Sequence, residues 1–367
     1  MIFLSGKIGT FEASLVNAIF FYIGIFILEV PTGYIADVYG KKVSMSLSMV
    51  ALFFGCVIFG FANNFWQFGL GELCFALGGA LSSGATEAWL VEKLGTEKAD
   101  QTFAKVGKIS SYFNFGYSIL GGVLAYYLGY EKTMFVIASF FLAGSLFSVF
   151  VLEKDKLHDH QLQGLELLKS ANAQVWQLVF ARKQFLATTL LMGTICGPVF
   201  SFYQLGYQNV GLSVAILGLI TSCLFLCVGQ GYGLRNQKLF AKLPIFLQEN
   251  SFKILIGFGF AIMITGLSFG LGWIYILGMA IVEIGYGDWN NYNFIQINKI
   301  SSDEFRATTN SVYSLFSKLS GAIALGVCGF VAQNYGLNYA FLIFLGTCCL
   351  MLFLKTQVKP KNTNHQS

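Results

Sequence analysis

The sequence predicts an all-α polytopic membrane protein, and three features of the chain indicate this class. Of its 367 residues, 55% are hydrophobic and only 11% are charged, whereas a soluble domain has about 25% charged residues. Many apolar runs exceed the roughly 18–20 residues that a helix needs to cross the hydrocarbon core. The runs are continuous and do not alternate, which favours helices over a closed barrel.

Eleven membrane spans are predicted, in two bundles. The first bundle covers residues 1–152, a polar linker with a surface helix at 165–180 covers 153–183, the second bundle covers 184–355, and a polar tail covers 356–367. The spans lie at about 13–36, 43–62, 65–92, 102–128, 133–152, 184–206, 211–232, 252–271, 273–297, 304–333 and 337–355.

Lysine and arginine are distributed unevenly between the two sides of these spans. One set of alternate loops collects 21 of them, with Lys318 counted in this set, while the other side has only Lys7 and Lys132. By the positive-inside rule the first set is cytoplasmic. The C-terminus is therefore predicted inside and, with eleven spans, the N-terminus outside. The net charge of +5 does not indicate nucleic-acid binding, because the basic residues are distributed as the positive-inside rule predicts for a membrane protein.

A parallel internal repeat is predicted at an offset of 207 residues. The offset aligns Trp66 with Trp273, and the glycines Gly71, Gly78, Gly122 and Gly129 with Gly278, Gly285, Gly329 and Gly336. Parallel repeats of this kind relate the two halves of many transporters. The first span of the second half, 184–206, would then have its partner before Met1. Either a first helix is encoded upstream, or the protein has eleven spans.

The end of the first span contains a motif. Its sequence is Gly33-Tyr-Ile-Ala-Asp37-Val-Tyr-Gly40-Lys41-Lys42, which resembles the signature loop between helices two and three of the major facilitator superfamily (MFS). The stretches at 29–32, 83–90 and 300–308 also resemble bacterial members, so the resemblance covers nearly the whole chain. It implies the MFS fold of two pseudo-symmetric helical bundles with TM1 absent, in a bacterial inner membrane.

The resemblance also implies a gating role for the motif. In the family the aspartate contacts the start of helix eleven in one conformation; here Asp37 would meet the helix N-terminus and Arg306. Lys41 and Lys42 would bind anionic lipid. Lysine stands at position 41 where the family often has arginine, and the matching loop of the second half lacks the aspartate. A tight anchoring turn without gating is the alternative.

Four acidic residues lie within predicted spans, and such residues are candidates for function because a charge in the bilayer costs several kcal/mol. Glu283 is the first candidate for proton coupling, since it lies near the midplane and burial favours the protonated form of a carboxyl group. Asp288 is the second. Glu72 lies nearer the outer surface, and Glu87 near the cytoplasmic gate. For Glu283, a hydrogen-bonded acid that holds helices together is an equal alternative.

Neutral and flanking candidates complete the predicted site. Glu29 shares a helix face with Gly33 and Asp37, and Asn17, Asn114 and Gln204 could donate hydrogen bonds to a substrate. Because few basic residues are assigned to the spans, a neutral, amphipathic or cationic organic molecule is favoured over an anion.

The predicted function is therefore a monomeric secondary active transporter of a small organic molecule that works by alternating access with coupled H+. No cofactor is expected, and His158 and His160 are read as residues of a solvated linker and not as metal ligands. Enzymatic motifs are absent, so an embedded enzyme is disfavoured. A non-transporting sensor, or a remnant made inactive by loss of the first helix, remains the alternative.

Overall fold

The computed structural model describes residues 2–94, 96–151, 179–212, 216–300 and 306–354 of the chain. Across these residues the regular structure is helical and contains no strand. The predicted linker at 153–183 and the polar tail lie almost entirely outside the described residues, as does the linker's surface helix up to residue 178.

The first half folds into seven helices. They are α1 (Ile2–Ile8), α2 (Thr10–Val16), α3 (Ile23–Tyr39), α4 (Lys41–Phe61), α5 (Phe65–Leu94), α6 (Thr96–Leu128) and α7 (Tyr130–Val151). A π-helical segment, Asn17–Tyr22, joins α2 and α3 into one continuous rod. π-helical turns are uncommon and occur frequently at functional sites. This segment of the rod is therefore a candidate functional region.

The second half contributes six more helices. They are α8 (Lys183–Asn209), α9 (Leu217–Gly233), α10 (Ile245–Ser268), α11 (Gly272–Ile300), α12 (Arg306–Asn334) and α13 (Leu337–Leu352). Two short 3-10 turns, Leu234–Asn236 and Phe240–Lys242, connect α9 to α10. The helical fold class predicted from the sequence is confirmed.

Seven stretches of the described chain are long and apolar enough to cross a membrane. They are Thr10–Glu29, Lys41–Phe61, Tyr130–Phe150, Lys183–Asn209, Leu217–Asn236, Ile245–Ser268 and Val312–Asn334. Helices α5, α6 and α11 have 30, 33 and 29 residues, so at 1.5 Å per residue they are also long enough, although more polar. Exposed large apolar side chains such as Phe147 and Phe150 suit a lipid surround.

Glycines with positive φ form the turns between helices. Five of them, Gly9, Gly129, Gly211, Gly270 and Gly336, lie at one end of the helices, and Gly40 lies at the other. We call the end with Gly40, Lys41 and Lys42 the basic end, and the other the opposite end. Gly40 has φ 95° and separates α3 from α4, a backbone conformation that disfavours any side chain.

The two halves meet along two interfaces with a common design. At the first, α6 packs on α9, and a Cβ added to Gly122 would lie 2.9 Å from the Cα of Gly218. At the second, the α2–α3 rod packs on α12, and a Cβ added to Gly329 would lie 2.5 Å from the Cβ of Ser14. Gly122 and Gly329 are separated by the repeat offset of 207 residues. Small residues thus allow close helix approach at both interfaces.

The same offset relates two helix crossings inside the halves. In the first half α5 crosses α4 where a Cβ on Gly55 would lie 3.3 Å from the carbonyl oxygen of Gly71. In the second half α11 crosses α10 where a Cβ on Gly278 would lie 2.7 Å from the carbonyl oxygen of Gly259. Gly71 and Gly278 are repeat partners, so the spacing of glycines in the sequence follows the positions at which helices must approach closely.

Candidate transport site

Glu283 lies in the interior of the second half, on α11. Its side chain is 1% exposed, and neither carboxylate oxygen has a hydrogen-bond partner among the described residues. It follows Gly272, the first residue of α11, by eleven positions, which is about 16 Å along the helix. A carboxyl group is therefore held near the middle of the bundle without a hydrogen-bond partner in the part of the chain that the structure describes.

The groups that interact electrostatically with Glu283 come from three helices. Cys196, Tyr203 and Tyr207 of α8 interact with it electrostatically, as do Cys227 of α9 and Tyr286 of α11. All five side chains are neutral near pH 7 in their ordinary state. Among these neighbours, Glu283 is therefore the group suited to change its charge.

Asp288 has a different environment from Glu283, although it lies only five residues further along α11. It is 0% exposed, its Oδ1 lies 2.6 Å from Nε of Arg235, and its Oδ2 accepts from Nη2 of Arg235 at 3.1 Å. The hydroxyl of Ser251 also donates to Oδ2. This paired geometry is typical of strong arginine–carboxylate recognition, and it gives Asp288 a counter-charge that Glu283 lacks.

Arg235 links three helices near the basic end. It follows the end of α9, and its Nη1 donates to the carbonyl of Gln248 on α10 at 3.1 Å. On the α11 side its guanidinium lies 4.6 Å from the ring centroid of Tyr292, within the range of a cation–π contact. Because Asp288 belongs to this network, its geometry favours a structural role over proton transfer.

Lys318 is a residue that the sequence analysis assigned wrongly. It was counted with the loop charges, but it follows Arg306, the first residue of α12, by twelve positions, about 18 Å along the helix. Its Nζ lies 5.5 Å from the ring centroid of Tyr22, and Glu29 on α3 interacts with it electrostatically. The unusual length of the predicted span, 304–333, was the signal that a charge fourteen residues inside it lies deep in the membrane.

Tyr22 crosses from the first half into a recess of the second. The recess is formed by Gly197 of α8 and Gly321 of α12: a Cβ on Gly197 would overlap the Tyr22 phenol, and a Cβ on Gly321 would lie 2.9 Å from its Cε1. Gly197 is followed by Pro198 inside α8. The π-helical segment therefore ends on the side chain that fills this inter-bundle recess.

Glu72 is also buried. It lies on α5, is 8% exposed, and interacts electrostatically with Tyr22. Electrostatic interactions therefore link Glu72 to Tyr22, and Cys196 to both Glu283 and Lys318.

The neutral candidates have separate environments. Gln204 and Thr221 hydrogen-bond to the hydroxyl of Tyr203, so Gln204 belongs to the surroundings of Glu283. The Asn17 amide donates to the carbonyl of Ala13 at 3.4 Å, and it begins the π-helical segment. Asn114 lies exposed on α6.

Part of the predicted gate lies outside the described side chains. This holds for Gly33, Asp37, Glu87 and Arg306, and the described remainder is Gly40 with Lys41 and Lys42. Within the described part of the chain no group of three histidine, cysteine, aspartate or glutamate side chains could hold a metal ion. His158 and His160 lie outside it.

The fold and the buried charges define a class of protein: a membrane transporter built from two helical bundles. The chain belongs to the Major Facilitator Superfamily, whose family model matches residues 2–324. It is 21% identical over 354 residues to an uncharacterized transporter of Buchnera aphidicola subsp. Baizongia pistaciae (strain Bp), covering 91% of this chain and 84% of the relative. It is 23% identical over 355 residues, with the same coverage, to an uncharacterized MFS-type transporter of Bacillus subtilis (strain 168).

Solved structures show the same fold at low sequence identity. A D-xylose-proton symporter superposes with a TM-score of 0.75 at 11% identity, covering 94% of this chain and 86% of the symporter. A human organic anion transporter superposes with a TM-score of 0.64 at 17% identity, covering 93% and 83%. The predicted family and fold are confirmed.

Proposed function

We propose that the protein is a secondary active transporter that moves a small organic molecule by alternating access and couples this movement to protons through Glu283. The observation that carries the proposal is the carboxyl group of Glu283, which is buried and has no hydrogen-bond partner among the described residues. We place the protein in the bacterial cytoplasmic membrane as a monomer, with its basic end and C-terminus inside.

An unpartnered carboxylate is costly in an apolar interior. Burial of a charge without pairing is so unfavourable that the group neutralises instead, so Glu283 carries a proton while it is enclosed. Water that enters when the bundles part would stabilise the ionised form and let the proton leave. If water reaches Glu283 from only one side of the membrane at a time, a proton taken up on one side would be released on the other.

The two interfaces are suited to such a movement. At both, glycine or serine lies against the facing helix, as at Gly122 with Gly218 and at Gly329 with Ser14. Small residues do not interlock across an interface, so few side chains would have to separate when the bundles tilt. The central residues Tyr22 and Lys318 lie near mid-depth, where tilting displaces atoms least.

Replacing Glu283 with glutamine is expected to abolish proton movement and spare exchange of substrate. The amide has the shape of the protonated acid but cannot release a proton. The measurement uses the full chain in proteoliposomes loaded with a pH-sensitive dye, to which sugars, organic cations and organic anions are added in turn. Proton flux should fall to that of empty liposomes, while counterflow of the active compound continues.

The matched control is Glu72→Gln, a second buried acid, which should retain proton flux. If Glu283→Gln retained the wild-type flux, the assignment of the coupling site would be wrong. If no compound moved protons or exchanged in the wild type, a non-transporting membrane sensor would be favoured instead.

A disulfide across the opposite end of the second interface is expected to stop transport. A Cβ at Gly329 would lie 2.5 Å from the Cβ of Ser14, closer than the roughly 3.5–4.5 Å found in a disulfide, so the two helices must part slightly there for Ser14→Cys and Gly329→Cys to oxidise in a background without the eight native cysteines. The bond prevents the opposite ends of the bundles from separating. Transport measured in proteoliposomes should fall to background on oxidation and recover on reduction.

Each single-cysteine variant serves as the control, since it cannot form the intramolecular bond. Undiminished transport by the fully cross-linked protein would show that this end does not open during the cycle, and alternating access between these bundles would be rejected.

A further inference from the structure

A shallow cleft opens on the surface of the first interface, where α6 of the first half packs on α9 of the second. Its floor consists of small residues, since a Cβ added to Gly229 would lie 3.0 Å from the Cβ of Ser111. The cleft is lined by Lys108, Ser111 and Tyr112 of α6 and by Leu226, Gly229 and Gln230 of α9. Its two walls therefore belong to different halves of the protein.

The second interface is filled at the corresponding positions. The repeat offset of 207 residues pairs Gly229 with Tyr22 and Ser111 with Lys318. At the second interface the amino group of Lys318 lies 5.5 Å from the ring centroid of Tyr22, and the two side chains occupy the space between the bundles. At the first interface the same positions have a hydrogen atom and a hydroxymethyl group. The cleft is therefore present where these two large side chains are missing.

The cleft faces away from the core of the second half. On one side of α9, a Cβ added to Gly231 would lie 2.8 Å from the Cα of Gly287 on α11. On the opposite side of the same helix, Leu219, Cys223 and Gln230 are exposed. In a membrane, an exposed face of this kind lies against lipid.

The cleft lies at the depth of lipid headgroups on the basic end. Lys108 precedes Leu128, the last residue of α6 at the opposite end, by 20 positions. This is about 30 Å along the helix, the thickness of the hydrocarbon core. Lys105, one turn closer to the basic end, is also exposed. Two lysines are therefore present at the level of the phosphate groups.

The polar groups at the mouth of the cleft are available to a ligand. In the part of the chain that the structure describes, no hydrogen bond or ion pair joins the side chain of Lys108 or Gln230 to another residue. Ser111, by contrast, donates its hydroxyl to the carbonyl of Gly107 at 2.9 Å. An ammonium group and an amide N–H can together donate to the oxygens of a phosphate. Basic pockets between membrane helices bind the headgroups of anionic lipids in this way.

The shape of the cleft favours a lipid over a soluble anion. A shallow, open cleft does not enclose a dissolved phosphate ion, whereas the headgroup of a lipid is already held at this depth by its acyl chains. An apolar surface for such a chain continues from the cleft toward the opposite end. It includes the exposed side chains of Tyr112 and Leu219, and Gly116, where an added Cβ would have nothing within 4 Å.

We propose that this cleft binds the phosphate of an anionic glycerophospholipid from the leaflet at the basic end, with Lys108 and Gln230 as its contacts. Because these residues belong to different halves, a lipid bound to both stabilises the arrangement in which α6 and α9 meet. Separation of the two helices at this end would release the lipid. The site does not include Glu283 and does not depend on proton coupling.

The test offers the full chain in detergent equal amounts of phosphatidylglycerol and phosphatidylcholine and counts the bound lipids by native mass spectrometry. The wild type should retain phosphatidylglycerol in excess. Lys108→Gln should lower this preference about fivefold, the effect of one lysine near a charged headgroup. Gln230→Glu should lower it at least as far, because it adds a negative charge beside the phosphate. Lys108→Arg keeps the positive charge and should retain the preference.

Lys242→Gln is the matched control. It removes one positive charge from an exposed residue at the basic end, on a turn between α9 and α10 that does not line the cleft, and it should leave the preference unchanged. Equal losses in Lys108→Gln and Lys242→Gln would reveal a non-specific attraction, and a wild-type preference in Lys108→Gln would place the lipid elsewhere. Either result overturns the site.

A second arm separates a lipid from a soluble anion. Inorganic phosphate, added at the same concentration as phosphatidylglycerol, should not displace the bound lipid. Displacement would overturn the lipid assignment in favour of a soluble anion. Proton flux in Glu283→Gln is measured in a separate assay, so failure of the lipid site and failure of the proposed function are distinguishable.

Discussion

Replacing Arg235 with alanine is expected to lower the free energy of unfolding by about 3–5 kcal/mol, because it leaves the carboxylate of Asp288 buried without its counter-charge. Asp288 is 0% exposed and the Arg235 side chain 15%, so water cannot replace the lost partner. Unfolding exposes the buried thiols of Cys56, Cys328 and Cys348. A thiol-reactive fluorophore therefore reports the melting of the detergent-solubilised protein.

Three further variants separate the ion pair from a general loss of packing. Arg235→Lys keeps the charge but loses the two-pronged geometry, so an intermediate loss is expected. Arg235→Ala combined with Asp288→Ala removes both charges and should be more stable than Arg235→Ala alone. Lys7→Ala breaks the exposed pair with Glu131, whose atoms are 2.6 Å apart, and should cost at most about 1 kcal/mol. Equal losses for Arg235→Ala and Lys7→Ala would contradict the proposed role of the buried pair.

Replacing Gly197 with valine is expected to force the two bundles apart at the second interface. The new side chain would occupy the space of the Tyr22 phenol, and overpacking of a filled site costs about 1–3 kcal/mol or more. The melting temperature should fall. In protein that also carries Ser14→Cys and Gly329→Cys, the yield of the disulfide should fall as well, because the facing helices no longer meet.

The decisive variant combines Gly197→Val with Tyr22→Ala, which empties the recess and should restore both stability and disulfide yield. Gly346→Val is the matched control, since a Cβ at Gly346 has nothing within 4 Å. If Gly197→Val behaved like Gly346→Val, or if Tyr22→Ala gave no rescue, Tyr22 would not fill the recess in solution.

The sequence was sufficient for the fold class, and it also singled out Glu283 as the first candidate for the site. Continuous apolar runs predicted the helices because bilayer solubility is a property of each segment, and the family motif placed Gly40 in the loop between two helices, where the structure has a positive φ. Glu283 could be found in the same way, since an isolated acid near the middle of an apolar run stands out. The tyrosines that interact with it electrostatically could not be found, because Tyr203 and Tyr207 lie on another helix, far earlier in the chain.

Asp288 and Lys318 show where reasoning from the sequence failed. Glu283 and Asp288 look alike in the sequence, yet Asp288 is paired with Arg235, 53 residues away, whereas the described residues give Glu283 no such partner. The count of lysines along alternate segments places Lys318 among the loop charges, because such a count gives the side of a residue and not its depth. Only the residue at which α12 begins shows how far along the helix Lys318 lies.

The sequence by itself determined that the chain spans a membrane, that it is helical, and that it is an MFS-type protein. The tertiary structure alone decided which buried charges are paired, which side chain crosses between the bundles, and which tyrosines interact electrostatically with Glu283. The physical reason is one of range. Hydrophobicity and backbone conformation act within a segment, but the energy of a buried charge depends on groups that distant helices bring within a few ångströms.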